Sequence, residues 1–177
     1  RRLPVVDALA LVRIAGEHAL PVPLAETLLA SWLLAMAELE IPDGPLSLAP
    51  VAEANLTLTR TGNGWQLTGN ATRIPWGRNV PHLVALAQHD GIPLLALVPS
   101  SGWRAEPGEN LAREPRDTLT FDAALPDHAV AIAPLGPDDL RHAGAALRAL
   151  QIAGALTRIT AMTTQYAQDR VQFGRPI

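Results

Sequence analysis

From Asp138 to Gln172 nothing breaks a helix except Gly144 and Gly154. At 1.5 Å per residue a helix over this span is about 50 Å long, more than the diameter of a small domain. Its start is well marked: Gly136-Pro137 precedes Asp138 and Asp139, which suit the positive end of a helix. Leu140, Ala143, Leu147, Leu150, Gly154, Thr157, Ala161 and Gln165 trace one stripe along it. A helix of this length with Ala and Gly on its contact face belongs in a bundle. No sibling helices follow it in this sequence, so the expectation is that another subunit supplies them or that the polypeptide continues past Ile177.

Two other sections precede this helix. Residues 1–45 are rich in Ala and Leu and read as helical. "PVVDALALVRIAGEHA" predicts one helix ended by "LPVP", and "LAETLLASWLLAMAELE" predicts a second, apolar on nearly every face. In residues 46–135 the period changes to two. "NLTLTR" and "WQLTGNATRI" alternate around "TGNG", which is hairpin chemistry. "HLVALAQ" and "IPLLALVP" flank "HDG" as a second hairpin, and "DTLTFDAAL" places Leu119 and Phe121 on one face. Short strands punctuated by Pro and Gly predict a small β-barrel or sandwich. The fold class is therefore α+β. It comprises a partial N-terminal helical domain (1–45), a β middle domain (46–135) and the first long helix of an incomplete bundle (136–177). No internal repeat is present.

Composition excludes several functions. With 48% hydrophobic residues in 177, a substantial core is available. The net charge of −3 gives no electrostatic case for a nucleic-acid partner. All 14 basic residues are Arg, a usage that fits genome composition before phosphate recognition. Cysteine is absent, which rules out disulfides and thiolate zinc sites and permits a cytoplasmic location. The chain opens on Arg1 and Arg2 rather than Met, so a start further upstream is expected. Asp7, Arg13 and Glu17 then break any secretory pattern. The most apolar run, "LLASWLLAMA", is too short to span a bilayer.

A search for chemistry narrows to one cluster. The five histidines are scattered without metal-ligand spacing, so no metal site is expected. No phosphate-binding glycine loop occurs, and "SSGW" is not a nucleophile elbow. Asp138-Asp139 is explained by helix capping. What remains is "DRVQFGRPI". As structure alone it reads as Arg170 matched to a helix C-terminus, Phe173 in the core, Gly174 as cap and Pro176 as stop. As function it reads as a guanidinium forked onto a diphosphate, with the Phe173 ring against a flat heterocycle.

The longer segment "YAQDRVQFGRPI" resembles the Tyr-Ala-x-x-Arg-x-Gln-Phe-Gly-x-Pro-Ile stretch of the acyl-CoA dehydrogenase flavoproteins. It matches at Tyr166, Ala167, Arg170, Gln172, Phe173, Gly174, Pro176 and Ile177. The order of sections agrees with that family too: helical part, β-barrel, then four-helix bundle. The resemblance implies an FAD-dependent oxidoreductase of fatty acid or lipid metabolism. It would take an α-proton and a β-hydride from an acyl-CoA or related thioester and pass electrons to an electron-transfer flavoprotein. It implies a homo- or hetero-oligomer in which Arg170 binds the pyrophosphate of a neighbour's FAD, with Gln172, Phe173 and Gly174 on its adenosine side.

The same alignment shows departures. The family's catalytic glutamate lies in later bundle helices, so no catalytic residue is assigned here and this stretch alone is not expected to be active. The Thr-Glu-Pro…Gly-Ser-Asp flavin loop is replaced by the shorter "LAPVAEANLTL". The flavin-flanking Trp-Ile-Thr falls on Arg73, Ile74 and Pro75, with Trp76 beside them as an aromatic face. An Asp and an Arg that serve acyl-CoA fall on His142 and Ala145. Two readings follow: a divergent acyl-CoA dehydrogenase, or a non-catalytic subunit supporting a catalytic partner in a mixed oligomer. A structural β-domain with a helical arm and no cofactor is a third.

Overall fold

A computed structural model describes residues 4–49 and 54–176. Arg1, Arg2, Ile177 and part of the segment aligned with the flavin loop (50–53) lie outside the described residues. By contact the chain forms two compact units, Arg1–Val22 with Ala145–Ile177, and Pro23–Gly144. This grouping cuts across the three sections read along the sequence.

In the first unit, helix α1 (Val5–Glu17) follows Pro4 and carries Asp7 in its first turn. It buries Val12 and Ala15. Helix α3 (Pro137–Asp169) supplies the other wall from residue 145 onward. The two backbones meet at glycine. A Cβ on Gly16 would lie 2.6 Å from the Cα of Gln151, and one on Gly154 would lie 2.7 Å from the nitrogen of Glu17. Gly154, expected on the contact stripe, is buried, but Thr157, Ala161 and Gln165 further along that stripe are exposed. Another face of α3 exposes Ile152, Leu156, Ile159, Met162 and Tyr166, each more than half accessible.

The second unit is a mixed eight-stranded sheet with helix α2 (Leu24–Met36). Its strands are β1 (Leu46–Leu48), β2 (Ala54–Thr61), β3 (Gly64–Pro75), β4 (His82–His89), β5 (Ile92–Pro99), β6 (Trp103–Glu106), β7 (Arg116–Leu125) and β8 (Val130–Ile132). Pairing runs β6-β7-β3-β2-β4-β5-β8, with β1 added parallel to β4. Both expected hairpins are present: β2 with β3 in register Thr61↔Gly64, and β4 with β5 in register His89↔Ile92. At the second turn Asp90 and Gly91 both take positive φ, 49° and 80°, the geometry of a primed two-residue turn.

Alternation decides which residues fill the core. Leu119, Phe121, Ala123 and Leu125 of β7 point inward with Leu67, Ala71 and Ile74 of β3 and Leu56 and Leu58 of β2. Burying each large side chain contributes about 1.5–3 kcal/mol. β4 departs from alternation: Leu83 to Ala87 are all buried. It is covered on a second face, and α2 packs against β1 and β4. The Thr27 hydroxyl ties α2 to β1, donating to the Leu46 carbonyl at 3.1 Å and accepting from its N–H at 3.0 Å. No helix among the described residues is long and apolar enough to cross a membrane.

Candidate functional site

α3 does not extend to Gln172 as the sequence suggests. It ends at Asp169, and the Arg170 N–H makes the last helical bond, 2.9 Å to the Tyr166 carbonyl. A two-stranded hairpin follows: β9 (Val171–Gln172) pairs with β10 (Arg175–Pro176), and Gln172 lies opposite Arg175. Phe173 and Gly174 form its turn with φ of 54° and 79°. Gly174 thus serves as a hairpin residue rather than a helix cap. Phe173, read either as core or as a ring for a ligand, is 103% exposed. Left-handed backbone costs a non-glycine residue about 1–2 kcal/mol, and an aromatic ring gains nothing from full exposure to water. The hairpin therefore presents Phe173 against its own conformational preference.

Arg170 completes the finger. Its guanidinium carbon stands 5.6 Å from the Tyr166 ring centroid, and Nη1 donates to the Tyr166 hydroxyl. The neighbouring Asp169 carboxylate accepts from Gln165 Nε2 at 2.8 Å. Among the described residues Arg170 makes no ion pair, so its charge stays available to an anion. Arg170, Gln172, Phe173 and Gly174 are brought together on one exposed element. They offer a cation and an aromatic face, which suits a diphosphate joined to a heterocycle.

Arg73, Ile74 and Pro75 lie in the other compact unit, at the end of β3. The β3–β7 ladder shifts register between Ala71 and Ile74, a bulge that leaves Arg73 exposed at φ 57°. Ile74 is fully buried in the sheet core, so its side chain is closed to any ligand. Pro75 has no N–H, and its carbonyl accepts the hydroxyl of buried Ser47. Trp76, half-buried, is also left-handed at φ 57°, and its N–H bonds the Pro115 carbonyl at 3.2 Å. A flavin edge seeking donors finds none on Pro75. Of the β3 triplet only Arg73 is exposed, with half-buried Trp76 beside it.

Asp117 holds this corner, and sequence reading did not single it out. Its carboxylate is fully buried and accepts from Arg78 N and Arg78 Nη1, both at 2.8 Å, and from Gly108 N at 3.1 Å. These bonds pin the turn after Trp76 to the β6–β7 connection. No local signal reveals the partnership, because 39 residues separate the two side chains. Elsewhere, Asp138 pairs with Arg141 at 3.0 Å in the first turns of α3. No group of three potential metal ligands occurs among the described residues.

No family model matches the sequence, and no curated protein matches it significantly. Solved structures do. The ChsE4-ChsE5 complex from Mycobacterium tuberculosis superposes with a TM-score of 0.81 at 26% identity, covering 97% of this chain and 52% of that one. The steroid ACAD Tcur3481-Tcur3483 follows at TM-score 0.75 and 27% identity, covering 97% and 52%. A glutaryl-CoA dehydrogenase from Mycobacterium smegmatis in complex with FADH2 matches at TM-score 0.59 and 24% identity, covering 69% and 34%. The chain thus spans about half the length of the first two. In fold it is similar to the acyl-CoA dehydrogenases.

Proposed function

We propose that the chain is part of an FAD-dependent, acyl-CoA dehydrogenase-like oxidoreductase that desaturates an acyl thioester between its α and β carbons. The observation that carries this reading is the Arg170–Gly174 hairpin, which holds a cation and an aromatic ring in water at a conformational cost. Arg170 binds the diphosphate, Phe173 lies on the adenosine side, and Gln172 and Gly174 shape the contact. Bound flavin would supply the hydride acceptor. The base that removes the α-proton is not among these residues. An acyl-CoA or related thioester, an electron-transfer flavoprotein and further subunits are the partners this reading requires, in the cytoplasm. Protein purified from the complete reading frame is expected to show the visible absorbance bands of flavin. A preparation that stays colourless after FAD is added refutes the proposal.

A second reading is a supporting subunit of a mixed oligomer, and it is motivated by one residue. Pro75, where the resembled family has Thr beside the flavin, has no N–H to donate. On that reading the purified subunit is inactive and dehydrogenation appears only on co-expression with a catalytic partner. Activity of the subunit alone would count against it.

A further inference from the structure

We propose that Tyr166 is a positioning residue that holds the Arg170 guanidinium ready for the diphosphate. This rests on the dinucleotide reading of the hairpin. Tyr166 lies one helical turn before Arg170, where side chains four apart share a face. Its ring stands 5.6 Å from the guanidinium carbon, within cation–π range, and its hydroxyl accepts from Nη1. The ring and the hydroxyl of one side chain both hold the guanidinium. With Nη1 on Tyr166, the guanidinium keeps Nη2 and Nε as further donors for a bidentate grip. An unrestrained arginine loses considerable rotamer freedom on binding, and a tethered one has already lost it. Gln165 acts in the same direction by engaging Asp169, the carboxylate nearest to Arg170 in sequence. Tyr166 is itself 53% exposed, so its pairing with Arg170 is not imposed by core packing.

The test is a double-mutant cycle on protein from the complete reading frame, co-purified with any partner subunits. FAD affinity is read from flavin fluorescence rather than from turnover. Arg170→Ala is expected to weaken FAD binding at least about ten-fold. Tyr166→Phe keeps the ring and loses the hydroxyl, and is expected to weaken it about three- to ten-fold. Tyr166→Ala should weaken it further. In the Arg170→Ala background, Tyr166→Phe should change affinity less than about two-fold, because nothing remains to be positioned. Wild-type affinity in Tyr166→Phe, or an equal loss in both backgrounds, overturns the positioning role and leaves the dinucleotide reading standing. Unchanged affinity in Arg170→Ala overturns both.

Discussion

Gly144 and Gly154 lie in the same helix and face opposite circumstances. A Cβ at Gly144 meets nothing within 4 Å. One at Gly154 comes within 2.7 Å of Glu17 N and 3.0 Å of the Arg13 carbonyl carbon, and closer still to the Arg13 carbonyl oxygen. Those neighbours are backbone, so no rotamer change relieves the clash and α1 must move outward. Alanine gains about 1 kcal/mol over glycine within a helix, and Gly144→Ala should realise most of it. Gly154→Ala has the same gain set against overpacking of about 1–3 kcal/mol. The two variants should therefore differ by about 1–3 kcal/mol, with Gly144→Ala the more stable. At about 2–4 °C per kcal/mol for a chain of this size, their melting temperatures should separate by about 2–12 °C. Thermal melts followed by far-ultraviolet circular dichroism measure this directly. If Gly154→Ala stabilises as much as Gly144→Ala, the close crossing of α1 and α3 is wrong.

Other expectations follow from the same geometry. Phe173→Asn places a residue tolerant of left-handed backbone in the turn, so stability should hold or rise by about 1 kcal/mol. FAD affinity should meanwhile fall at least about ten-fold, and a titration showing no loss would remove the ring from the binding surface. Asp117→Ala leaves Arg78 and the Gly108 N–H without their acceptor, and should cost about 2–4 kcal/mol in urea denaturation. Ile74→Ala should cost about 2–5 kcal/mol as a core truncation. The chain of 177 residues alone should self-associate through the exposed apolar face of α3, and a clean monomer in light scattering would contradict this.

What could be read from the sequence was what local pattern governs. The two hairpins announce themselves through TGNG and HDG, and the long helix through an unbroken period started by Pro137 and two acids. β1, β6 and β8 escaped because each spans four residues or fewer and exists by virtue of a partner strand. Ile74 was proposed as a cofactor contact from an alignment of three residues. Only the sheet shows that the bulge at Arg73 turns Ile74 into the core. Phe173 was divided between core and ligand surface, because a Phe-Gly pair does not look like a primed turn. Asp90-Gly91 does, and the backbone result is the same at both. The Asp117–Arg78 knot was out of reach, since it joins β7 to a turn 39 residues earlier in the chain.

The pairing of β3 with β7 has a consequence for synthesis. β3 ends at Pro75 and β7 at Leu125, and Trp65 sits opposite Leu125, so about 50 residues must be made after β3 before its second neighbour is complete. At about 5–20 residues per second this is a wait of about 2.5–10 s. Through that interval the β2–β3 hairpin has a free edge along β3 and an uncovered row of Leu67, Ala71 and Ile74. The opposite face of β3 is studded with Gln66, Thr68, Asn70 and Thr72. A ribosome-bound chain would therefore show water one wet face and one sticky face, and the bulge at Arg73 interrupts the straight edge along which another nascent chain could pair.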